Sequence, residues 1–240
     1  MPFPVRGAFN QGAAPVIACI NRSSAYSNDD MAKLVPALRK FLDNCFIPIW
    51  GTPASLTLAT DDVPGAWSLV MLDDADAADA LGYHDLTKDG LPTSKVFVKT
   101  TLAGGEKVSA TACHELAEML VDPAANLWSQ HPNGAMFAYE MCDACEEEMF
   151  EIDGIPMSDF VTPAYFEGFR APGSARFDYL KLIKRPFQIL HGGYAIISNN
   201  GKINNVFGSE AKRARFASED RRYHRSEYRQ PITDTQEIDE

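Results

Sequence analysis

The segment His114-Glu115-Leu116-Ala117-Glu118-Met119-Leu120-Val121-Asp122-Pro123 decides how this chain is read. It closes a run free of glycine and proline that starts after Gly104-Gly105. Proline disfavours a helical conformation in the residue before it, so the run predicts a helix from Glu106 to about Val121 that stops at Asp122-Pro123. The helix starts with Val108, Ala110, Ala112 and Cys113, whose small apolar side chains predict that most of its surface is buried. An ionised side chain in such a place is unfavourable unless it is paired or bound to metal. His114 and Glu118, four residues apart, lie one above the other on one face and can point at a single ion. Glu115, one position round, can reach a water on that ion.

Working outward, Val16 to Ile20 reads as a short buried strand, and from Met31 the residues Leu34, Val35, Leu38, Phe41, Leu42 and Cys45 recur on one helical face. Pro36 within that stretch implies a kink or a later start. Ser55 to Thr60, Trp67 to Leu72 and Ser94 to Thr100 read as strands of one sheet, the last an edge strand guarded by Lys95 and Lys99. Downstream, Pro132-Asn133-Gly134, Asp153-Gly154 and Pro172-Gly173 mark turns. Phe187 to Leu190 and Tyr194 to Ser198 suggest a late hairpin turning at His191-Gly192-Gly193 or at Asn199-Asn200-Gly201. From about Gly208, acids and bases alternate without an apolar face, as in a tail or a solvated helix. The fold class is α+β: a mixed twisted sheet with a metal-binding helix packed on it and a loop-rich C-terminal half. It forms one domain over residues 1–208, with an arm at 1–15 and a charged tail at 209–240.

The 240 residues, 45% hydrophobic and 23% charged, suffice for one substantial core. A net charge of −11 argues against nucleic acid as a partner, because most of such a surface repels a polyanion. No stretch approaches the roughly 18–20 apolar residues of a membrane span, and Val16 to Ile20 is too short for a secretory signal. Neither a membrane nor export is therefore expected, and a cytoplasmic or virion-associated protein is. Cys19, Cys45, Cys113, Cys142 and Cys145 form an odd set that predicts reduced thiols. Cys142-x-x-Cys145 has no second pair to complete a zinc knuckle, and Glu146-Glu147-Glu148 beyond it would raise a thiol pKa, so these cysteines read as structural or incidental.

The pentapeptide at 114–118 follows the logic of His-Glu-x-x-His, in which two side chains hold zinc and the Glu takes a proton from the metal-bound water. Glu118 at the second ligand position makes the site harder and brings manganese and calcium into range behind zinc. Asp122 opposes the helix dipole and reads as a further ligand, a partner to a ligand, or an Asx-type turn. His191-Gly192-Gly193-Tyr194 would suit an oxyanion site, although a hairpin turn explains it better. His84, His131 and His224 fall in polar loops or the tail and receive no role.

The run from His114 to Trp128, followed by Glu140-Met-Cys-Asp143-Ala-Cys145, resembles a zincin-like family with members from bacteriophages and bacteria. A similar pattern occurs in the exordium-like proteins of plants, and the stretch Asp153 to Phe166 looks like the phage-type branch. The resemblance spans about residues 106–200. It implies a zincin-like fold, with the metal helix on a sheet whose edge strand receives an extended peptide. It also implies Glu140 as third ligand, with Asp143 as a ligand or as the carboxylate that orients His114. Zinc metallopeptidases of this architecture usually carry His where this chain has Glu118, a departure that bears on both the ion and the activity. The expected function is a metal-dependent hydrolase of the metallopeptidase type. One divalent ion, zinc first, is held by His114, Glu118, Glu140 and Asp143, and Glu115 activates its water against a peptide or protein substrate lying along Ser94 to Thr100. The alternative is an inert zincin-like structural protein of a phage or similar particle, in contact with neighbouring particle proteins, whose metal only stabilises the fold.

Overall fold

A computed structural model describes residues 14–76 and 81–218, and the chain is mixed α+β. Strand β1 (Val16–Asn21) leads to helix α1 (Asn28–Phe41), whose Ser27 cap accepts a hydrogen bond from the Asp30 amide at 3.0 Å. The helix thus begins earlier than its apolar stripe, and Pro36 sits on its exposed face without ending it. A π-helical turn over Leu42–Phe46 and the short α2 (Ile47–Trp50) follow. Then come β2 (Ser55–Ala59), β3 (Trp67–Leu72), β4 (Gly82–Leu86), β5 (Pro92–Phe97), α3 (Val98–Ala103) and α4 (Val108–Val121). The sheet runs in the order β2-β1-β3-β5-β4, parallel except for β4, which is antiparallel to β5. The interior strands β1 and β3 show the continuous apolar runs of parallel strands buried on both faces, Ile17 to Ile20 and Leu69 to Met71. Ile17, Cys19, Leu69, Met71 and Val96 pack with Leu34, Leu38 and Phe41 of α1 and with Cys113, Leu116 and Ala117 of α4 in one core.

The expected edge strand over Ser94–Thr100 is corrected in two respects. β5 ends at Phe97, where the next residues open α3, and it is interior, flanked by β3 and β4. The two lysines answer local acids: Lys95 Nζ lies 2.5 Å from Asp76 Oδ2, and Lys99 Nζ, in α3, 3.0 Å from Asp73 Oδ2. The edge is β4.

The second half adds β6 (Trp128–Gln130), β7 (Met136–Ala138), a 3-10 turn at Asp143–Cys145, β8 (Met149–Ile152), β9 (Ile155–Ser158), β10 (Tyr194–Asn199) and β11 (Lys202–Phe207). These strands form a sheet ordered β11-β10-β7-β6 and a separate β8–β9 hairpin that packs on α4. The late hairpin is β10–β11, turning at Asn200-Gly201 with φ of 50° and 75°, as a primed two-residue turn demands. Phe187 to Leu190 is not a strand; the Phe187 ring packs 4.7 Å from that of Phe137 and 5.0 Å from that of His131.

Asp159 and Asp178, both fully buried, fasten the long loop between β9 and β10. Asp159 accepts the Leu180 amide at 3.1 Å, and Asp178 accepts the amides of Leu182 and Ile183 at 2.8 and 2.9 Å. Burial, together with the neighbouring Asp178, lifts the Asp159 pKa to about 8. An unfolded Asp loses its proton near about pH 4, so between there and about 8 the folded chain holds a proton that the unfolded chain has released. Rising pH across that window therefore destabilises the fold. Asp159→Asn keeps the acceptor for Leu180 and adds a donor toward Asp178. Its melting temperature is expected to gain on wild type as pH rises from about 5 to about 8. Melting curves at a series of pH values check this; a constant difference would refute it.

The charged segment beyond residue 208 begins as α5 (Glu210–Ser218). One of its side chains is far from solvated: Lys212 is 4% exposed, with Nζ 2.5 Å from Glu146 Oε2. The rest of the tail, residues 219–240 with His224, and the arm residues 1–13 lie outside the described residues. No helix among the described residues is long and apolar enough to cross a membrane.

Candidate metal centre

α4 lies on β5 and β4, and it is pinned there by Ser94, whose hydroxyl donates to the Glu115 carbonyl at 2.9 Å. Gly82 of β4 makes the close approach possible, since a Cβ there would stand 2.8 Å from Glu115 Cγ. The third contributor is the turn at Asp143–Cys145. It is tied to α4 by the Cys142 amide, which donates to Glu118 Oε1 at 3.1 Å, and to the β10 side by the Leu190 amide, which donates to the Ala144 carbonyl at 2.9 Å.

These elements bring His114 Nε2 to 3.2 Å from Glu118 Oε1 and 3.3 Å from Asp143 Oδ1. Ligands at zinc bond lengths of about 2.0–2.2 Å in a tetrahedron are about 3.3–3.6 Å apart, so the three donors fit one ion. Glu140, expected in this group, stands against another residue, His84, with Oε2 3.9 Å from Nε2. His84 received no role from the sequence, yet it is 5% exposed on β4 and directs Nδ1 toward Glu115 Oε2 at 3.8 Å and Glu118 Oε2 at 3.7 Å. Among the described residues two groups able to hold a metal ion result, His114-Glu118-Asp143 and His84-Glu115-Glu118, with Glu118 in both.

Electrostatics in this space are unbalanced. Burial, opposed by His114 and reinforced by Asp143 and Glu140, lifts Glu118 to a pKa of about 8. Burial likewise lifts Asp143 to about 6 against the pull of His114. Burial alone would lower both histidines, but the carboxylates around them prevail. His114 is held well above the usual histidine value by Glu118 and Asp143, and His84 reaches about 9 beside Glu115, Glu140 and Glu118. The protons retained here mark where a metal cation would be favourable.

A cleft of about 70 Å³ opens on this site, lined among others by Gly82, His114, Glu115, Glu146, Tyr194 and Lys212. Asp122 is the helix-terminal turn: its carboxylate accepts the Asn126 and Leu127 amides at 2.9 and 2.8 Å. Cys142 and Cys145 are buried and not joined in a disulfide, and burial pushes their thiols up. His191-Gly192-Gly193 is a turn, in which the Gly193 amide donates to the Leu190 carbonyl. No family model matches the chain, and no similar curated protein or solved structure is found.

Proposed function

We propose that the protein is a metal-dependent hydrolase of the metallopeptidase type, built on a zincin-like scaffold, with zinc as the first candidate ion. The observation that carries this reading is the convergence of His114 Nε2, Glu118 Oε1 and Asp143 Oδ1 beside a cleft that Glu115 also lines. The zincin-like scaffold is supported by a helix bearing His-Glu-x-x-Glu packed on a mixed sheet next to its edge strand. Among the described residues no strand pairs with the outer side of β4, so an extended peptide would add there rather than along Ser94 to Thr100.

When bound, the ion would acidify a water and polarise a scissile carbonyl. His114, Glu118 and Asp143 would hold it, and α4 sets two of the three donors. Glu115 takes the proton from the attacking water and delivers it to the leaving amine.

One observation favours a second reading, the inert structural protein of a particle: the cleft of about 70 Å³ has room for only a few waters or one small group. The deciding experiment strips the purified full chain with a chelator, reloads it with zinc, manganese or calcium, and incubates each form with a diverse peptide library. Cleavage that returns with an ion is expected, together with a higher melting temperature. Reloading without cleavage in every form would replace the hydrolase by the inert protein. Neither ion uptake nor a shift in melting would end the metal reading itself.

A further inference from the structure

We infer that the site takes two divalent cations. One lies at His114, Glu118 and Asp143; the second is held by His84, Glu115 and Glu118, and Glu118 bridges the pair. This rests on the reading of the His114 group as an ion site and extends it to a binuclear centre.

The first support is distance. A buried imidazole between carboxylates normally closes to a hydrogen bond of about 2.7–3.2 Å. His84 Nδ1 stops at 3.8 Å from Glu115 Oε2 and 3.7 Å from Glu118 Oε2. Those gaps are too long for direct bonds and suit donors arranged around a cation.

The second support is the division of Glu118. Its Oε1 faces His114 at 3.2 Å and its Oε2 faces His84 at 3.7 Å, so each oxygen belongs to a different group. A carboxylate placed in this way joins two ions at the roughly 3.5–4 Å spacing of two-metal hydrolytic sites.

The far side of His84 gives the third. Nε2 is buried and has no hydrogen-bond partner, and it looks toward Glu140 Oε2 at 3.9 Å. Metal-bound histidines turn their second nitrogen to a carboxylate, and Glu140 is the carboxylate on that side, here beyond hydrogen-bond distance.

Charge is the last. Glu115, Glu118, Glu140 and Asp143 bring four carboxylates into a space whose two imidazoles must be neutral to act as ligands. One divalent ion leaves half of that negative charge uncompensated; two balance it. The second position offers one nitrogen and otherwise carboxylate oxygen, a donor set suited to manganese as well as zinc. Glu115 then binds through Oε2, while Oε1, next to Gly82 on the cleft wall, remains for the proton of the water.

The test is a titration of the chelator-stripped full chain with Mn2+, followed by equilibrium dialysis and low-temperature EPR. Two ions per chain are expected, with an exchange-coupled signal growing once the first equivalent has bound. His84→Gln is expected to keep one ion and to lose the coupled signal. The wild-type titration decides the matter by itself should that variant not fold. Saturation at one ion in wild type overturns the second site and leaves the hydrolase reading intact. Two ions without coupling overturn the Glu118 bridge. No binding at all overturns both this inference and the reading it rests on.

Discussion

Glu115→Gln is expected to lower the proposed peptide hydrolysis by at least about 100-fold while an ion proposed at His114 stays bound. Gln keeps the length of the side chain and most of its hydrogen bonding, so the close fit against Gly82 survives and only the base is removed. In a binuclear centre the same change weakens the second ion, and elemental analysis would then fall from two ions toward one. His114→Ala should behave differently. It removes the nitrogen on which Glu118 Oε1 and Asp143 Oδ1 converge, and it leaves two buried carboxylates facing each other. Breaking a buried charge cluster in this way costs about 3–5 kcal/mol, so metal content and melting temperature should drop together. Kinetics and metal analysis on both variants check the assignment. If Glu115→Gln strips every ion, Glu115 is an essential ligand, and the proton must be taken by another group.

Gly193→Ala should distort the candidate metal site locally and cost about 3 kcal/mol, the upper end for overpacking a close contact. The added Cβ would stand 2.3 Å from the Ala144 carbonyl oxygen and 2.8 Å from that of Asp143. Both are backbone atoms and cannot swing aside as a flexible side chain would. The turn at Asp143–Cys145 must therefore shift, carrying a proposed ligand with it. Gly134→Ala is the control: Gly134 has φ of 93° but open space around it. That change should lower stability by about 1 kcal/mol, through strain alone, without altering metal content. Equal metal loss in the two variants would refute the argument from contact.

Much of the fold was legible because it follows from periodicity. The apolar runs at Ile17–Ile20 and Leu69–Met71, the stripe of α1 and the stop of α4 before Pro123 all carry their cause in neighbouring residues. Val98 to Thr100 misled because β-branched residues there favour a strand, whereas the Gly104 amide bonds to the Thr100 carbonyl and Thr101 Oγ1 to the Phe97 carbonyl, each closing a helical turn. The helix face that holds His114 and Glu118 could be derived from spacing, and so could the Asp122 turn. His84 could not be reached that way. Its strand buries a polar residue, so it shows no apolar alternation. The signal that was available is length: from Asp73 to Leu91 the chain is too long for an ordinary connection in a compact domain and implied a further element. Lys212 was hidden for the opposite reason, since an acid-base mixture reads as solvated until its partner Glu146 is seen.

The order in which the site's pieces occur along the chain also fixes an order in time. A ribosome adds about 5–20 residues per second, so the pieces at 84, 114–118, 143 and 212 appear successively over several seconds. The cluster of His84, Glu115 and Glu118 is already fully synthesised while Asp143 is still to come, and the Lys212 that covers Glu146 arrives last. A nascent chain thus presents an acidic, half-assembled pocket before its stabilising partners exist. Until then nothing later in the sequence can neutralise those carboxylates.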